Sequence, residues 1–137
     1  MELRQYNKTY HTDHSIMYSC QYHVIFCPKY RRKVLLDSVA ARLKELVLAK
    51  QDDYGYIVIE MEVLPEHVHL LLDVDPRQGI NVVVGKIKGF TSHELRNEFP
   101  WLKKRLPTLW TRSKFISTVG AVTLDVVQRY IEAQKNV

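Results

Sequence analysis

The chain has 137 residues, of which 46% are hydrophobic and 26% charged, proportions that are typical of a globular domain and exclude a disordered chain. No apolar stretch approaches the roughly 20 residues of a membrane-spanning helix, and the first residues lack the apolar core of a signal peptide. We therefore expect one cytoplasmic domain over residues 1–137. The formal net charge of +5 is compatible with a polyanionic partner but does not identify one.

The first half of the chain predicts an arm, a strand and a long helix. Residues 1–17 are polar and irregular, as expected of an N-terminal arm. Residues 19–26 alternate and are rich in β-branched and aromatic side chains, which predicts a strand. Between 37 and 53 apolar residues recur at helical spacing, with Asp37 as a candidate N-cap and Gly55 just beyond the end. The apolar positions of this helix are Val39, Ala40, Leu43, Leu46 and Val47.

The second half predicts a hairpin, two further helices and a last strand. The elements are strands over 56–64, 67–74 and 115–119, helices over 81–97 and 123–137, and a loop with short helical turns over 100–114. The order β-α-β-β-α-β-α predicts an α+β, ferredoxin-like (split βαβ) fold: an antiparallel sheet with helices on one face, plus a C-terminal helix. Many unrelated activities use this fold, so function must be inferred from a site.

Two histidines open the strand that follows the predicted hairpin turn. His67 and His69 flank Val68, and alternate side chains of a strand lie on the same face. Two neutral imidazoles side by side form part of a metal site and need at least one further ligand. Two structural histidines near a turn would explain the same pattern.

The C-terminal helix carries a second pair of polar groups. Tyr130 and Gln134 are four residues apart and therefore lie on one face of the helix, while Val127 and Ile131 form a neighbouring apolar stripe. Taken singly, these positions are better explained by a half-buried core tyrosine and a solvated glutamine at the helix end. Whether Tyr130 and Gln134 take part in chemistry depends on which other residues of the chain lie near them.

Basic residues occur in three clusters. They lie at residues 29–33 and 103–105 and at the pair Lys86 and Lys88. Any one cluster is explained by solvated loops and helix ends. Three clusters in a small domain favour a nucleic-acid surface.

Several motifs in order resemble one family. They are YHVIFCPKYR at 22–31, EHVHLLL at 66–72, KIKG at 86–89, FISTVG at 115–120 and YIEAQ at 130–134. From about residue 18 to 134 the chain resembles the single-tyrosine transposases of the IS200/IS605 insertion-sequence type, which belong to the HUH endonuclease superfamily. Lys114 departs from the pattern, since an aromatic residue is expected before the last strand.

The resemblance implies a catalytic site and a reaction. It makes Tyr130 the nucleophile, His67 and His69 metal ligands, and Gln134 the third protein ligand, with Mg²⁺ or Mn²⁺ as the metal. The implied enzyme cleaves and rejoins single-stranded DNA at insertion-sequence ends. It does so through a 5′-phosphotyrosine intermediate, which preserves the energy of the broken bond for rejoining.

The resemblance also implies partners. Related enzymes are homodimers that recognise DNA hairpins, and their C-terminal helix supplies the tyrosine to the partner's histidines. Residues 119–123, including Gly120, would form the link needed for such an exchange, although the sequence does not decide between the two arrangements. The candidate DNA-binding residues are Lys29, Tyr30, Arg31, Arg32 and Lys33 for the hairpin backbone, and Lys86 and Lys88 for phosphates near the active site. Tyr30 or Trp110 could stack on a base, with core packing favoured for Trp110.

Other functions remain open at this point. A domesticated relative that processes repeated extragenic palindromes would share the same residues and chemistry. A non-catalytic RNA-binding module would share the fold, but the stacking motif that it needs is not found. A metal-storage or regulatory domain would leave Tyr130 without a role, and a hydrolytic nuclease would form no covalent protein–DNA product.

Overall fold

The computed structural model describes residues 11–12, 17–119 and 124–137, which form six strands and five α-helices. The strands are β1 (His11–Thr12), β2 (Met17–Tyr18), β3 (Gln21–Phe26), β4 (Tyr56–Leu64), β5 (His67–Val74) and β6 (Phe115–Thr118). The helices are α1 (Asp37–Ala49), α2 (Gln51–Tyr54), α3 (Ile80–Glu98), α4 (Trp101–Arg105) and α5 (Leu124–Ala133). Two short 3-10 turns, Lys29–Arg31 and Gln134–Asn136, complete the described structure.

The main sheet has the strand order β4-β5-β3-β6, and each neighbouring pair is antiparallel. The connection from β3 to β4 passes over β5, and the connection from β5 to β6 passes over β3. These two crossovers, each containing helices, are those of a split βαβ arrangement. The predicted α+β, ferredoxin-like fold is confirmed.

The two central strands, β3 and β5, place alternate side chains on the two faces of the sheet. In β3 and β5 the even-numbered residues pack into the main core with α1 and α3, as shown by Phe26 and Leu70, which are both fully buried. The odd-numbered residues therefore lie on the opposite face of the sheet. That face holds His67 and His69 of β5. The pleat thus separates the residues that fill the core from the residues that form the site.

A bulge in β4 preserves this division. Val58 pairs with Leu72 and Glu60 with Leu71, so Ile59 is an extra residue between them. Without it, every later side chain of β4 would change face, because the side-chain period of a strand is two. The bulge lets Met61 pack against the same core as Val58.

α5 covers part of the opposite face. Ile131 packs on Ile25 of β3, and Phe115 and Tyr130 lie beside this contact. α1 and α3 share one face as predicted, whereas the C-terminal helix lies on the other. The side chain of Val127, the second apolar residue predicted for this helix, lies outside the described residues, as do Gly120 and residues 121–123.

Three local predictions are corrected. The long helix predicted from 37 is interrupted at Lys50, and Gly55 ends α2 in the left-handed conformation with φ 77°. Asp37 is not the N-cap, because Leu36 holds that position and no side chain caps the helix. The expected irregular arm contains β1, which pairs with β2. None of the helices in the described parts of the chain combines the length and apolarity needed to cross a membrane.

Candidate active site

Three histidines, not two, meet on the face of the sheet opposite the main core. His67 and His69 of β5 are 5% and 2% exposed, and His23 of the adjacent strand β3 is 2% exposed. Nδ1 of His23 and Nε2 of His69 lie 3.0 Å apart in a hydrogen bond, and the two rings stack with centroids 5.2 Å apart. His23 was not predicted from the sequence, because only the register of β3 against β5 brings it beside His69.

His67 has the environment of a metal-binding imidazole. Its Nδ1 donates a hydrogen bond to the Glu66 carboxylate over 2.9 Å, so the other ring nitrogen, Nε2, carries a lone pair. That Nε2 is buried and has no hydrogen-bond partner among the residues described. A carboxylate on one nitrogen and a free lone pair on the other is the usual arrangement of a histidine that binds a metal.

The environment of all three imidazoles favours their neutral form. Burial lowers the pKa of His23 and of His67. Burial, and then the neighbouring His23 and His67, lowers the pKa of His69 to about 4. A lowered pKa means that the ring stays unprotonated through the neutral pH range. Metal ions bind neutral imidazole, so these nitrogens are available as ligands without first losing a proton.

Tyr130 and Gln134 meet at a serine in the loop before β6. Ser113 donates a hydrogen bond to Oε1 of Gln134 over 2.8 Å, and its oxygen lies 3.3 Å from the hydroxyl of Tyr130. Because the amide oxygen can only accept, the Ser113 oxygen is left to accept the phenol proton. Burial raises the pKa of Tyr130 to about 12, so the phenol is neutral at physiological pH.

The histidines and the Tyr130–Gln134 pair occupy neighbouring parts of one surface. The hydrogen bonds that the structure gives to Tyr130 and Gln134 go to Ser113 and to the helix backbone rather than to the imidazoles. No cluster of three or more His, Cys, Asp and Glu able to hold a metal occurs among the described residues.

A cleft of about 630 Å³ separates His67 from α5. Its walls include Glu66 and His67 on the sheet side, and Arg129 and Glu132 on the helix side. Arg31 also lines it, together with Lys33, so three of its residues are cations. Two carboxylates, Glu66 and Glu132, offset part of this charge, and the remaining positive charge suits a phosphate group.

Comparisons with known proteins identify the family. The model of the family described as "Transposase IS200 like" matches residues 16–134. The chain belongs to this transposase family. It is 41% identical to the ISDra2 transposase TnpA of Deinococcus radiodurans over 120 residues, which cover 86% of each protein. It is 32% identical to the transposase for insertion sequence element IS200 of Salmonella typhimurium, covering 85% of this chain and 78% of that one.

Solved structures agree with this assignment. The crystal structure of a transposase from Deinococcus radiodurans R1 matches with a TM-score of 0.84 and 34% identity, over 93% of this chain and 99% of the other. A REP-associated tyrosine transposase bound to a REP hairpin shares the fold, with a TM-score of 0.57 and 14% identity over 95% of this chain and 69% of the other. Membership of a transposase family excludes the RNA-binding module that the sequence had left open.

In this IS200-like transposase the basic run at 29–33 is divided by a strained turn. Tyr30 and Arg31 both have positive φ, at 60° and 50°, a conformation that costs roughly 1–2 kcal/mol for each residue with a Cβ. The turn directs Arg31 towards α5, where its guanidinium donates to the backbone oxygen of Ile131 over 3.2 Å and to the Glu132 carboxylate over 3.0 Å. Arg31, predicted to contact hairpin phosphates, thus binds α5 in this structure.

Replacing Arg31 with alanine is therefore expected to loosen α5 more than it weakens DNA binding. Hydrogen exchange of the α5 amides should accelerate severalfold, because a charge-assisted bond to the helix backbone is lost. Glu132→Gln is the matched control: it removes the ion pair but leaves the bond to Ile131, so its effect should be smaller. Unchanged exchange, combined with a flatter salt dependence of binding, would instead support the phosphate contact predicted from sequence.

The other predicted DNA-binding residues lie in different places. Lys88 directs its ammonium at the backbone oxygens of Thr111 and Ser113, 2.7 and 3.1 Å away, and so fixes the loop that carries Ser113. Burial, and then the nearby charge of Lys114, lowers the pKa of Lys88 to about 8. Lys86 lies on the ring of Tyr54, 5.6 Å from its centroid. The structure does not bring Lys86 and Lys88 together at one phosphate.

Trp110 is a core residue, as sequence analysis favoured. It is 5% exposed, its ring meets Phe26 edge to face, and its indole donates to Thr91 over 3.1 Å. Ser113, in contrast, was missed. A serine in a loop has no sequence pattern that marks it, and its position beside Tyr130 depends on how β6 and α5 pack.

Proposed function

We propose that this IS200-like transposase cleaves and rejoins single-stranded DNA at the hairpin ends of an insertion sequence, with Tyr130 as nucleophile. The observation that carries the proposal is the buried, unpartnered Nε2 of His67, a residue that lines the cleft between the sheet and α5. Tyr130 belongs to that same helix. Family membership supplies the reaction class, and the curated relative from Salmonella acts for an insertion sequence element.

The proposed reaction is an in-line displacement at phosphorus. The phenol oxygen of Tyr130 forms a bond to the scissile phosphorus, and the bond from phosphorus to the 3′ oxygen breaks. The phenol proton leaves by way of water, and the departing 3′ oxygen takes up a proton, giving a 5′-phosphotyrosine and a free 3′-OH. A 3′-OH can later attack the phosphotyrosine and release Tyr130, so rejoining needs no nucleotide cofactor.

The donor set on this surface fits a divalent ion, which we propose to be Mg²⁺ or Mn²⁺. His67 and His69 would hold it through neutral imidazoles, and Gln134 through its amide oxygen. Such an ion neutralises phosphate charge and favours loss of the phenol proton. Glu66 fixes the ring of His67, and Ser113 holds the Gln134 amide while one lone pair of its oxygen remains for a ligand. His69 must exchange its bond to His23 for the ion, or present its other nitrogen.

The covalent intermediate is the decisive test. The protein is incubated with Mn²⁺ and a 5′- or 3′-labelled single strand that carries a hairpin and a flanking single-stranded segment, and the products are run on a denaturing gel. A 3′ label should travel with the protein, because Tyr130 would hold the 5′ phosphate of the downstream fragment, and digestion should place that label on the peptide that contains Tyr130. A 5′ label should instead stay on the released fragment that ends in a free 3′-OH. Cleavage without any protein-bound label would assign the chain to hydrolytic nucleases instead.

We also propose that the working enzyme is a homodimer in which α5 is exchanged between subunits. Among the described side chains, α5 packs on its own sheet through Ile131 on Ile25, with Phe115 beside Tyr130. A small contact of this kind can be made equally well with the sheet of a second copy, which is how exchanged elements form dimers at low cost. Arg31 of one subunit would then bind Glu132 from the other.

Mixing two inactive variants tests the exchange. A Tyr130→Phe chain is combined with a His67→Ala chain under conditions in which subunits exchange. If α5 serves the partner's site, each heterodimer has one intact site and one doubly altered site, so cleavage should return. If α5 serves its own sheet, both sites carry one lesion and cleavage stays at background. Background activity with heterodimers verified by mass would therefore contradict the exchange.

A further inference from the structure

A second groove, of about 280 Å³, lies between the basic run and α4. Its walls are Arg32, Lys33, Val34, Arg105 and Leu106. Three of these five residues are cations with exposed side chains, and none is acidic. Over residues 17–119 and 124–137, none of the three cations takes part in an ion pair. Their charge is therefore not neutralised by the neighbouring protein and is available to an anionic ligand.

Two exposed aromatic rings lie beside cations of this groove, and the Tyr30 ring also has the ammonium of Lys29 5.2 Å from its centroid. Trp101, the first residue of α4, is 38% exposed, and the guanidinium of Arg105 lies 5.0 Å from its ring centroid. Tyr30 is 40% exposed, and the guanidinium of Arg32 lies 5.9 Å from its centroid. Interleaved cations and open aromatic rings are the surface that unpaired bases and their phosphates recognise.

The groove adjoins the cleft that His67 lines. Lys33 lines both, with Arg31 and His67 on the cleft side and Arg32 and Arg105 on the groove side. The strained turn at Tyr30 and Arg31 produces this division, because it sends Arg31 towards α5 and leaves Arg32 and Lys33 at the surface. A polyanion that extends from the cleft towards α4 therefore meets Arg32 and Arg105.

We propose that this groove holds the unpaired DNA strand next to the scissile phosphate, with phosphates on Arg32, Lys33 and Arg105 and a base stacked on Trp101. The proposal rests on the proposed function and extends it, since it gives the single strand a path. Unpaired DNA is favoured over duplex because bases inside a duplex already stack on one another, whereas an unpaired base offers its face to Trp101. Sequence analysis missed Trp101 as a stacking residue.

Tryptophan fluorescence tests the path without any cleavage. The chain has two tryptophans, and Trp110 is buried, so quenching by a stacked base reports on Trp101. The metal-free protein is titrated with a blunt hairpin and with the same hairpin carrying a 5′ or a 3′ single-stranded tail. We expect quenching with one of the tailed hairpins and none with the blunt hairpin. Trp101→Phe should abolish the quenching, and Trp101→Ala should weaken tail-dependent binding roughly tenfold.

Charge variants supply the matched comparison. Arg105→Gln and Lys33→Gln should each flatten the salt dependence of tailed-hairpin binding by about 0.7 in log–log slope. Lys104→Gln, an exposed change on the same helix that does not line the groove, should leave the slope unchanged. Equal quenching by the blunt hairpin would make the occupant a duplex and overturn the proposal. If quenching is absent while Tyr130 still forms its adduct, the groove does not hold the single strand, and only this proposal is overturned. If the adduct is lost while quenching is retained, only the proposed cleavage by Tyr130 is overturned.

Discussion

Replacing Tyr130 with phenylalanine is expected to reduce cleavage of single-stranded DNA by on the order of 10⁴-fold or more, since the attacking oxygen is removed. The aromatic ring remains, and with it the contact to Phe115, whose centroid lies 5.4 Å away. The packing of Ile131 on Ile25 does not involve the hydroxyl. DNA binding should therefore stay within about twofold of the unaltered protein, because no phosphate contact is changed.

A second tyrosine variant separates chemistry from folding. Tyr22 lies in β3 and packs against the main core, on the other side of the sheet. Tyr22→Phe should leave both cleavage and the covalent product unchanged. Thermal unfolding of the two variants should match that of the parent within a few degrees. A covalent adduct from Tyr130→Phe would show that another tyrosine is the nucleophile, and Tyr6, Tyr10 and Tyr18 would then be tested first.

Replacing His67 with alanine is expected to lower the rate of metal-stimulated cleavage by more than about 10³-fold, because the proposed ligand with the free lone pair is lost. Glu66→Gln should cost less, roughly 10–100-fold in metal affinity, since it alters only the partner that orients the ring. Gln134→Ala should be milder than His67→Ala, because water can replace an amide oxygen. The measurements are Mn²⁺ titrations of cleavage and of direct ion binding by the DNA-free protein.

His23→Gln tests whether His23, which lies beside His69, contributes to ion binding. It keeps a polar group beside His69 but removes the imidazole that stacks on it. If His23 only fills space and supplies a hydrogen bond, ion affinity should change little. Full Mn²⁺ stimulation of a His67→Ala, His69→Ala double variant would contradict the metal site itself.

The sequence predicted those parts of the site that follow from spacing along one element. His67 and His69 share a face because strand side chains alternate, and Tyr130 and Gln134 share a face because a helix repeats every 3.6 residues. The position of Arg31 against α5 could not be predicted, because it depends on two consecutive left-handed residues, neither of which is glycine. His23 and Ser113 required the strand register and the packing of α5.

The order of helices and strands could be predicted for similar reasons, but the ends of individual helices could not. Each long element has its own periodic pattern, so element order and sheet type followed from local signals. The break at Lys50 and the uncapped start at Asp37 have no such signal, because tertiary contacts decide where a helix stops. No pattern in the sequence marks Ile59 as the extra residue of a bulge, although the bulge determines on which face of the sheet the later side chains of β4 lie.

The alternation along β5 has a consequence for how this protein tolerates change. Leu70 is fully buried in the main core, while His69, its neighbour in the chain, is 2% exposed and lies on the opposite face of the sheet, where we propose the catalytic site. A missense change at Leu70 should leave little folded protein, whereas one at His69 should leave a folded chain without chemistry. Substitutions at alternate positions of β5 are thus expected to lower either the amount of folded protein or its activity. Point mutations on the face of His69 would therefore yield copies of the protein that fold and persist without activity.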